Sequence, residues 1–421
     1  MTALPQNGPP QTDSLHRPSG FLRNATLADG RRVDVRIDGS TIATVDPASG
    51  LVGPHDIDLR GYMLLNAPAE PHAHIDKALT ANEIANPTGD LAGAINAWVA
   101  HVPHITVAET VDRGERAVRE LVASGVTALR THVNVHEGIE LKAVEALLEL
   151  RERTGHLLDL EIVALAGWVT GEHGEANLAL LRSALAADPL IVVGGCPHLD
   201  VDPDLATDLA LGLAAEYGRK IDLHTDETLD RDHLDLRYLA RRVRETGFTG
   251  GVAASHCVSL GMQTVEVQRS VAAEVAEAGV AVITLPQTNL FLQARGVAVG
   301  PPRGLTAIRP LLAAGATVGS GADNVRDPFN IMGRSDPLET AALLVMAGHL
   351  SAEEAWECVS NGARRAMGLA AIHVAPGNDA ELLAVPGASL ADAIARADQA
   401  RIVWHRGAVV ARTSLVRTFA R

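Results

Sequence analysis

The sequence has few cysteines and little positive charge. Its 421 residues include three cysteines, Cys196, Cys257 and Cys358, without a Cys-x-x-Cys pair, so neither a disulfide framework nor a thiolate zinc site is indicated. The formal net charge of −15 argues against nucleic acid or an anionic membrane as a partner, because both bind positively charged surfaces. We therefore expect a protein of the reducing cytoplasm whose partner is a small molecule.

Long apolar runs are also absent. No stretch reaches the roughly 18 uninterrupted apolar residues of a membrane span. The first residues, MTALPQNGPPQTDSLHRPSG, are rich in proline, glycine and polar residues and lack the apolar region of a signal peptide, so residues 1–19 are predicted to be a disordered leader. The hydrophobic fraction of 47% and the charged fraction of 21% are instead typical of a globular protein with a substantial core.

From about residue 60 onward, short apolar runs alternate with longer amphipathic stretches, which is typical of repeated strand and helix units. One helical stretch, residues 141–155, has apolar residues on one side and charged residues on the other. Eight such units predict a (β/α)₈ barrel of the TIM type over residues 62–369, and enzymes with this fold have their active sites at the carboxyl ends of the strands. The candidate strands are YMLLNAPAEPHAH, TALRTHVNV, LDLEIVALAG, LIVVGGCPH, KIDLHTD, GGVAASHC, VAVITLP and TVGSGAD.

Both flanks of the predicted barrel carry strand signals. Residues 31–46, RRVDVRIDGSTIATVD, alternate polar and apolar residues around an Asp-Gly turn, which predicts a hairpin, and residues 399–416 alternate in a similar way. We expect residues 20–61 and 370–421 to form one small β-sandwich domain from both chain ends.

Five polar side chains fall at the carboxyl ends of the predicted strands. His72 and His74 are two residues apart, so they point to the same face of the first strand; His224 ends the fifth strand, His256 the sixth and Asp323 the eighth. Three imidazoles and one carboxylate suit a divalent cation such as zinc or ferrous iron, with one position left for water. One metal ion is expected, because no lysine ends the fourth strand to bridge two ions as a carbamate.

Glu227 and His256 are candidates for proton transfer in the same space. Glu227 follows the fifth-strand histidine by three residues, so its carboxylate can take a proton from a bound water and pass it to a leaving group. His256 is interpreted as the group that orients the hydroxide, and a role as a further ligand is the alternative. Asp226 is interpreted as a helix cap or loop anchor, and Asp76 with Lys77 as either a salt bridge beneath the site or a part of it.

Six segments together resemble the amidohydrolase superfamily and, within it, its cytosine deaminase-like branch. The resemblance implies a metal-dependent hydrolase of non-peptide C–N bonds, with a barrel joined to a β-sandwich and often a homo-oligomeric assembly. It implies His72, His74, His224 and Asp323 as metal ligands, and it assigns catalysis to Glu227 as proton shuttle, His256 as the residue that positions the hydroxide, and Asp323. The segments, in the family's order, are EPHAHIDK, RTHVNVHEGIELKAVEALLELRE, IDLHTDET, SHC, LPQTNLFLQARG and GADNVRDPFNIMGRSDPLETA.

The reaction that this resemblance implies is hydrolytic deamination of a small amino-substituted nitrogen heterocycle. Hydroxide attacks the ring carbon that bears the amino group, and Glu227 protonates the nitrogen so that ammonia leaves. A cyclic amide or alkylaminotriazine hydrolase with the same metal and hydroxide is the alternative. An inactive barrel that binds a metabolite is a remote alternative.

Departures from the family concern the substrate. The position that carries a glutamine in cytosine deaminases is Gly167 in this chain, followed by Trp168, and Asn324 replaces the second acid after the metal aspartate. Because a site built to hydrogen-bond its substrate rejects analogues that cannot pair, we expect cytosine itself to be a poor substrate. Further candidate substrate-binding residues, for which strand-end hydrogen bonding is the alternative, are His198, Asn289 and Gln293.

Overall fold

The chain divides into two compact units. In the computed structural model, residues 20–420 are described, and the predicted leader at residues 1–19 lies outside them. The barrel unit is Pro68–Ala371, and the terminal unit combines the described residues up to Ala67 with those from Ile372 onward. The barrel unit begins six residues after the predicted start of the barrel at residue 62 and ends two residues after its predicted end at residue 369.

The described residues form sixteen strands. These are β1 (Gly20–Thr26), β2 (Arg32–Asp38), β3 (Thr41–Pro47), β4 (Ile57–Asp58), β5 (Tyr62–Asn66), β6 (Ala69–Ala73), β7 (Ala128–Val135), β8 (Asp159–Ala166), β9 (Val192–Gly195), β10 (Ile221–Thr225), β11 (Val252–His256), β12 (Ala281–Thr284), β13 (Val318–Ser320), β14 (Leu382–Pro386), β15 (Ile402–His405) and β16 (Ala408–Arg412).

The described residues also form fourteen α-helices, together with 3₁₀ turns at Val102–His104 and Pro197–Leu199 and a π turn at Cys358–Gly362. None of these helices is long and apolar enough to cross a membrane. The helices are α1 (Leu91–His101), α2 (Val107–Ala123), α3 (Lys142–Thr154), α4 (Gly174–Ala187), α5 (Pro203–Tyr217), α6 (Asp235–Thr246), α7 (Val258–Gly261), α8 (Val265–Ala278), α9 (Pro286–Leu292), α10 (Ile308–Ala313), α11 (Pro337–Gly348), α12 (Ala352–Glu357), α13 (Ala363–Ala366) and α14 (Leu390–Arg396).

Strands β6 to β13 form one parallel sheet in chain order. A parallel bridge between Ala73 and Asp323 joins the first and last strands at their carboxyl ends, and the backbone N–H of Asp323 donates to the carbonyl oxygen of His72 at 3.1 Å. The strands alternate with helices, as their near-continuous apolar sequences predict. The predicted barrel is thereby confirmed, and its closing contact lies at two of the predicted metal ligands.

The terminal unit contains a separate sheet built from both chain ends. Its strand order is β16, β15, β14, β5, β1, β2 and β3, with β4 paired to β1. The predicted hairpin is the antiparallel pair of β2 and β3, whose turn includes Gly39 at a φ of 58°. Its core contains buried residues from both ends, such as Leu22, Leu64 and Trp404. A barrel with a β unit from both chain ends is the predicted fold class.

The predicted first strand, YMLLNAPAEPHAH, is two strands that belong to different sheets. Its first half is β5 of the terminal unit and its second half is β6 of the barrel. Pro68 lies between them and lacks the N–H that would continue a ladder. Because both halves have strand signals and only Ala67 and Pro68 separate them, the sequence pattern predicts one continuous strand.

Candidate active site

Four predicted ligands converge at the carboxyl ends of the barrel strands. Nε2 of His224 lies 3.1 Å from Nε2 of His72 and 3.1 Å from Nε2 of His74. Oδ1 of Asp323 lies 3.3 Å from Nε2 of His74 and 3.7 Å from Nε2 of His72. All four side chains are buried. Three nitrogens and one oxygen therefore face one small volume inside the barrel.

This donor set fits a divalent metal ion. Burial lowers the pKa of His72, His74 and His224 well below the ordinary histidine value, and the charges of neighbouring imidazoles and of Lys77 lower it further, so the rings are neutral and carry lone pairs. Ligand atoms about 2.0–2.1 Å from a tetrahedral zinc ion are about 3.4 Å apart, which is close to the separations observed. Oδ1 of Asp323 is also buried with no hydrogen-bond partner among residues 20–420.

Two of the candidate residues have strained backbone. The φ angles of His256 and Asp323 are 68° and 71°, values that non-glycine residues adopt rarely. Such strain persists where the surrounding structure enforces it, and it is concentrated at functional sites. At Asp323 the hydrogen bond to the carbonyl oxygen of His72 holds the backbone in this conformation.

A buried chain of hydrogen bonds fixes the ring of His72. Oγ of Ser255 lies 2.8 Å from Nδ1 of His72, and the hydroxyl donates to Oδ1 of Asp222 at 3.0 Å. Arg130 donates to Oδ2 of Asp222 at 2.8 Å. Because a serine hydroxyl has a single proton, Ser255 can only accept from His72, so Nδ1 carries the ring proton. Nε2 then presents its lone pair to the other ligands.

Lys77 lies beside Nδ1 of His74. Its buried amine is 3.2 Å from that nitrogen and 3.3 and 3.2 Å from the two carboxylate oxygens of Asp76. The backbone N–H of Asn134 also donates to Asp76, at 3.3 Å. The interpretation of Asp76 and Lys77 as a salt bridge is confirmed, and the pair also contacts a candidate ligand.

Glu227 and His256 lie together beside the ligand cluster. Oε1 of Glu227 is 3.5 Å from Nδ1 of His256, and Nε2 of His256 is 3.9 Å from Oδ2 of Asp323. Burial raises the pKa of Glu227 to about 8 and lowers the pKa of His256 to about 3. Oδ1 of Asn289, 3.0 Å from Nδ1 of His256, holds the ring. The two side chains can therefore supply a proton carrier and a neutral imidazole at one edge of the cluster.

A cavity of about 490 Å³ opens onto Glu227. His198 and Gln293 also line it. Nδ1 of His198 lies 3.2 Å from the carbonyl oxygen of His224, and the side-chain amide of Gln293 donates to the carbonyl oxygen of Glu227 at 3.2 Å. Pockets of about 300–1,000 Å³ are usual for small-molecule ligands, so the cavity has room for more than a single unsubstituted ring.

Three other predicted substrate-binding residues have different surroundings. Trp168 is 53% exposed. The side-chain amide of Asn324 donates to Asp327 at 2.8 Å and accepts from the hydroxyl of Thr288 at 3.3 Å, so it is engaged within the protein. A Cβ atom at Gly167 would lie 2.8 Å from a neighbouring side-chain carbon. A role of Gly167, Trp168 and Asn324 in substrate binding stays a prediction.

Sequence reasoning did not single out His132, which packs against the cluster. Its ring centroid is 4.0 Å from that of His72, and its Nε2 is 3.8 Å from the carboxylate of Asp222. The same three residues are close enough to form a further group of potential metal ligands. The available signal was the alternation of Arg130, His132 and Asn134 in β7, since alternate strand residues share one face.

Known proteins resemble the chain over most of its length. The sequence profile of the amidohydrolase family matches residues 79–411. A pterin deaminase from Rhizobium rhizogenes is 30% identical over 394 residues, which are 92% of this chain and 87% of the relative. The crystal structure of a 5-methylcytosine deaminase from Klebsiella pneumoniae with 5-fluorocytosine is 26% identical, with a TM-score of 0.87 over 95% of this chain and 99% of that one. An N-isopropylammelide isopropylaminohydrolase from Burkholderia multivorans is 29% identical, with a TM-score of 0.80 over 94% and 98% of the two chains.

Proposed function

Because the chain belongs to the amidohydrolase family, it is a hydrolase that acts on carbon–nitrogen bonds, and we propose that it hydrolytically removes an amino group from a small nitrogen heterocycle. The observation that carries this proposal is the buried cluster of three imidazoles and one carboxylate with Glu227 beside it. The pterin deaminase and the 5-methylcytosine deaminase that the chain resembles are named for the loss of an amino group from a heterocycle, which supports the same reaction.

In the proposed site, His72, His74, His224 and Asp323 hold one divalent metal ion. Such an ion, when bound, supplies Lewis acidity and lowers the pKa of water to about 7, so that hydroxide is available at neutral pH. The lone pairs of neutral, buried imidazoles and the unpartnered oxygen of Asp323 support this ligand set.

Glu227 moves the protons in the proposed reaction. It accepts a proton as the oxygen nucleophile forms and adds to the ring carbon, and it then donates a proton to the amino nitrogen. The exocyclic carbon–nitrogen bond breaks and ammonia leaves, and the proton of the new hydroxyl group passes to the adjacent ring nitrogen, so that a ring carbonyl remains. Its raised pKa, about 8, suits a group that is protonated in one half of the cycle and ionised in the other. His256, oriented by Asn289, hydrogen-bonds the attacking oxygen.

Fused aminopteridines are the substrates that we propose first. The similarity to a pterin deaminase over 92% of this chain and the cavity of about 490 Å³ both support a substrate larger than cytosine. Pocket contacts from His198 and Gln293 are proposed on the basis that both line this cavity.

Release of an alkylamine is the second candidate function. Its support is the 29% identity with an N-isopropylammelide isopropylaminohydrolase, together with the 25% identity over 364 residues with the corresponding enzyme of a Pseudomonas strain. The same residues would serve, since only the substituent on the leaving nitrogen differs.

Quantifying ammonia and isopropylamine from one substrate panel tests both candidates. The purified protein is analysed for metal and incubated with pterin, 5-methylcytosine, cytosine and N-isopropylammelide. Ammonia from pterin, lost on chelation and restored by zinc or ferrous iron, is the expected result. Isopropylamine alone would favour the second candidate, and neither product from fully metallated protein would refute both.

Three finer assignments belong to this proposal. We propose zinc or ferrous iron as the metal, because imidazole and carboxylate ligands suit both, and metal analysis of the purified protein distinguishes them. A homo-oligomeric state and a cytoplasmic location stay predictions from the family resemblance and the composition.

A further inference from the structure

Arg295 is the lone guanidinium among the described residues that line the cavity above Glu227. The other ionisable side chains of that lining are Asp90, His198, His233 and Glu227 itself. A fixed positive charge in a pocket lined otherwise by neutral or acidic groups selects for ligand groups of opposite charge.

The guanidinium of Arg295, an exposed side chain, stacks on an aromatic ring. Cζ of Arg295 lies 4.3 Å from the ring centroid of Phe291, within the range of a cation–π contact. On another side it lies over Gly89, where a Cβ atom would be only 3.2 Å from Cζ and where the φ of 72° further disfavours a side chain. The ring of Phe291 and the backbone at Gly89 thus contact the faces of the guanidinium, and the N–H groups at its edge can donate hydrogen bonds to a ligand.

The donors of Arg295 have no partner within the described chain. It has no ion pair and no side-chain hydrogen bond among residues 20–420. Asp90, the nearby acid, is already engaged: its carboxylate accepts from the backbone N–H of Gly93 at 2.8 Å and from the hydroxyl of Thr88 at 2.7 Å. Asp90 therefore acts as the N-terminal cap of α1, and the guanidinium keeps an unused fork of N–H groups.

We propose that Arg295 binds an anionic group of the substrate, so that the preferred substrates are aminoheterocycles with a carboxylate on the edge away from the amino group that leaves. A planar guanidinium fork matches a carboxylate with two parallel hydrogen bonds. The cavity, about 490 Å³ in volume, has room for a fused ring with such a substituent. This inference rests on the proposed function for the location of the reacting carbon near Glu227.

Binding of two probes of nearly the same shape tests the inference without turnover. The probes are pterin-6-carboxylate and pterin-6-carboxamide, titrated calorimetrically into the metal-loaded full chain carrying Glu227→Gln, so that neither is consumed. We expect the carboxylate to bind at least about tenfold more tightly, a difference of about 1.4 kcal/mol, and the preference to decline as salt is raised.

Variants at Arg295 assign the preference to this residue. Adding Arg295→Met should bring the two dissociation constants together, whereas Arg295→Lys, which keeps the charge and loses the fork, should give an intermediate ratio. The matched control is Arg303→Met, since Arg303 is exposed and donates to the carbonyl oxygen of Ala347; it should leave the ratio unchanged. Equal affinities with Arg295 present, a preference that survives Arg295→Met, or no binding of either probe would overturn the inference.

Ammonia release by the wild-type protein from the same two compounds separates this inference from the proposed function. Deamination without any preference for the carboxylate would refute the role of Arg295 and leave the reaction standing. A preference in binding that depends on Arg295, with no ammonia from either compound, would refute the reaction and leave the anion site standing.

Discussion

The hydroxyl of Ser255 lies 2.8 Å from Nδ1 of His72, although the two residues are 183 positions apart in the chain. The hydroxyl donates a hydrogen bond to Asp222, which forms a salt bridge with Arg130. Ser255 therefore sets which ring nitrogen of His72 carries a proton, and it does so without touching the space where a metal ion would bind. Groups that orient a ligand in this way typically change metal affinity by 10- to 100-fold when removed.

Replacing Ser255 with alanine is expected to weaken metal binding by about 10- to 100-fold, because Nδ1 of His72 loses its acceptor and the ring loses its fixed orientation. Competition with a chromogenic chelator measures the affinity directly. The control is Ser320→Ala, which removes another buried strand hydroxyl, one that donates to the carbonyl oxygen of Thr284 at 2.9 Å. Equal losses in the two variants, or none in either, would argue against a specific role of Ser255.

Changing Glu227 to glutamine should lower turnover by about 10²- to 10⁴-fold, since an amide of the same shape cannot carry the proton. Metal content should be unchanged, because Glu227 is not one of the four proposed ligands. The carboxylate of Asp230, on the same loop, is exposed, so Asp230→Asn is the control and should keep wild-type turnover. If Glu227→Gln retains both its metal and its rate, another group transfers the proton.

The sequence predicts the place of those site residues that lie at the ends of strands. His72, His74, His224, His256 and Asp323 each follow or end an apolar strand, and parallel strands of a barrel bring their carboxyl ends together. Asp226, interpreted as a helix cap, accepts from the backbone N–H groups of Asp235 and Leu236 at the start of α6. Local pattern is sufficient to place these residues because the position of each is set by its own strand or helix.

The supporting contacts could not be predicted in the same way. The chain from Arg130 through Asp222 and Ser255 to His72 joins residues on two separate pairs of neighbouring strands, β6 with β7 and β10 with β11, and its members meet only through the barrel's closure and register. Strand signals specify that a residue is buried, but they do not specify which buried polar group it contacts. The division between β5 and β6 was missed for a related reason, since sheet membership depends on pairing partners far away in the sequence.

Asp34 in the terminal unit is expected to make the free energy of unfolding decrease as the pH is lowered. Its carboxylate accepts from the backbone N–H groups of Asn24 and Ser49, from the hydroxyl of Ser49 and from Arg23. Burial raises the pKa of Asp34, but these hydrogen bonds outweigh it and lower the pKa to about 2. Because the folded-state pKa is below the unfolded value of about 3.9, the stabilisation is full above about pH 4 and is lost as pH falls towards about 2.

Asp34→Asn should therefore destabilise the protein by about 2 kcal/mol at neutral pH, and the difference from wild type should shrink as the pH approaches about 3. Denaturant midpoints at several pH values measure this. The exposed Asp38 lies on the same strand, so Asp38→Asn should change the midpoint little at any pH. A wild-type advantage over Asp34→Asn that is constant with pH would show that lost packing, and not the carboxylate charge, causes the effect.

A substitution at Gly167 can test whether this site accepts the glutamine that cytosine deaminases have at the corresponding position. Its backbone N–H donates to the carbonyl oxygen of Val135 at 2.9 Å, which fixes it at the end of β8. A Cβ atom there would lie 2.8 Å from Cβ of His136 and 3.0 Å from Nδ2 of Asn177. Asn177 is not free to move, since its amide donates to the carbonyl oxygen of Trp168 and accepts from the backbone N–H of Glu137.

Gly167→Gln should accordingly destabilise the protein by about 1–3 kcal/mol through overpacking, and kcat/KM for cytosine should not rise. Thermal denaturation and ammonia release measure the two effects. Gly212→Gln is the matched control, because a Cβ atom at Gly212 in α5 meets nothing within 4 Å and glutamine is the better helix former. A stable Gly167→Gln variant with increased cytosine turnover would mean that the surrounding loops yield and that this one position decides between substrates. The expected outcome means instead that the packing of His136 and Asn177 around Gly167 excludes a glutamine side chain, so that introducing one would require changing all three residues together.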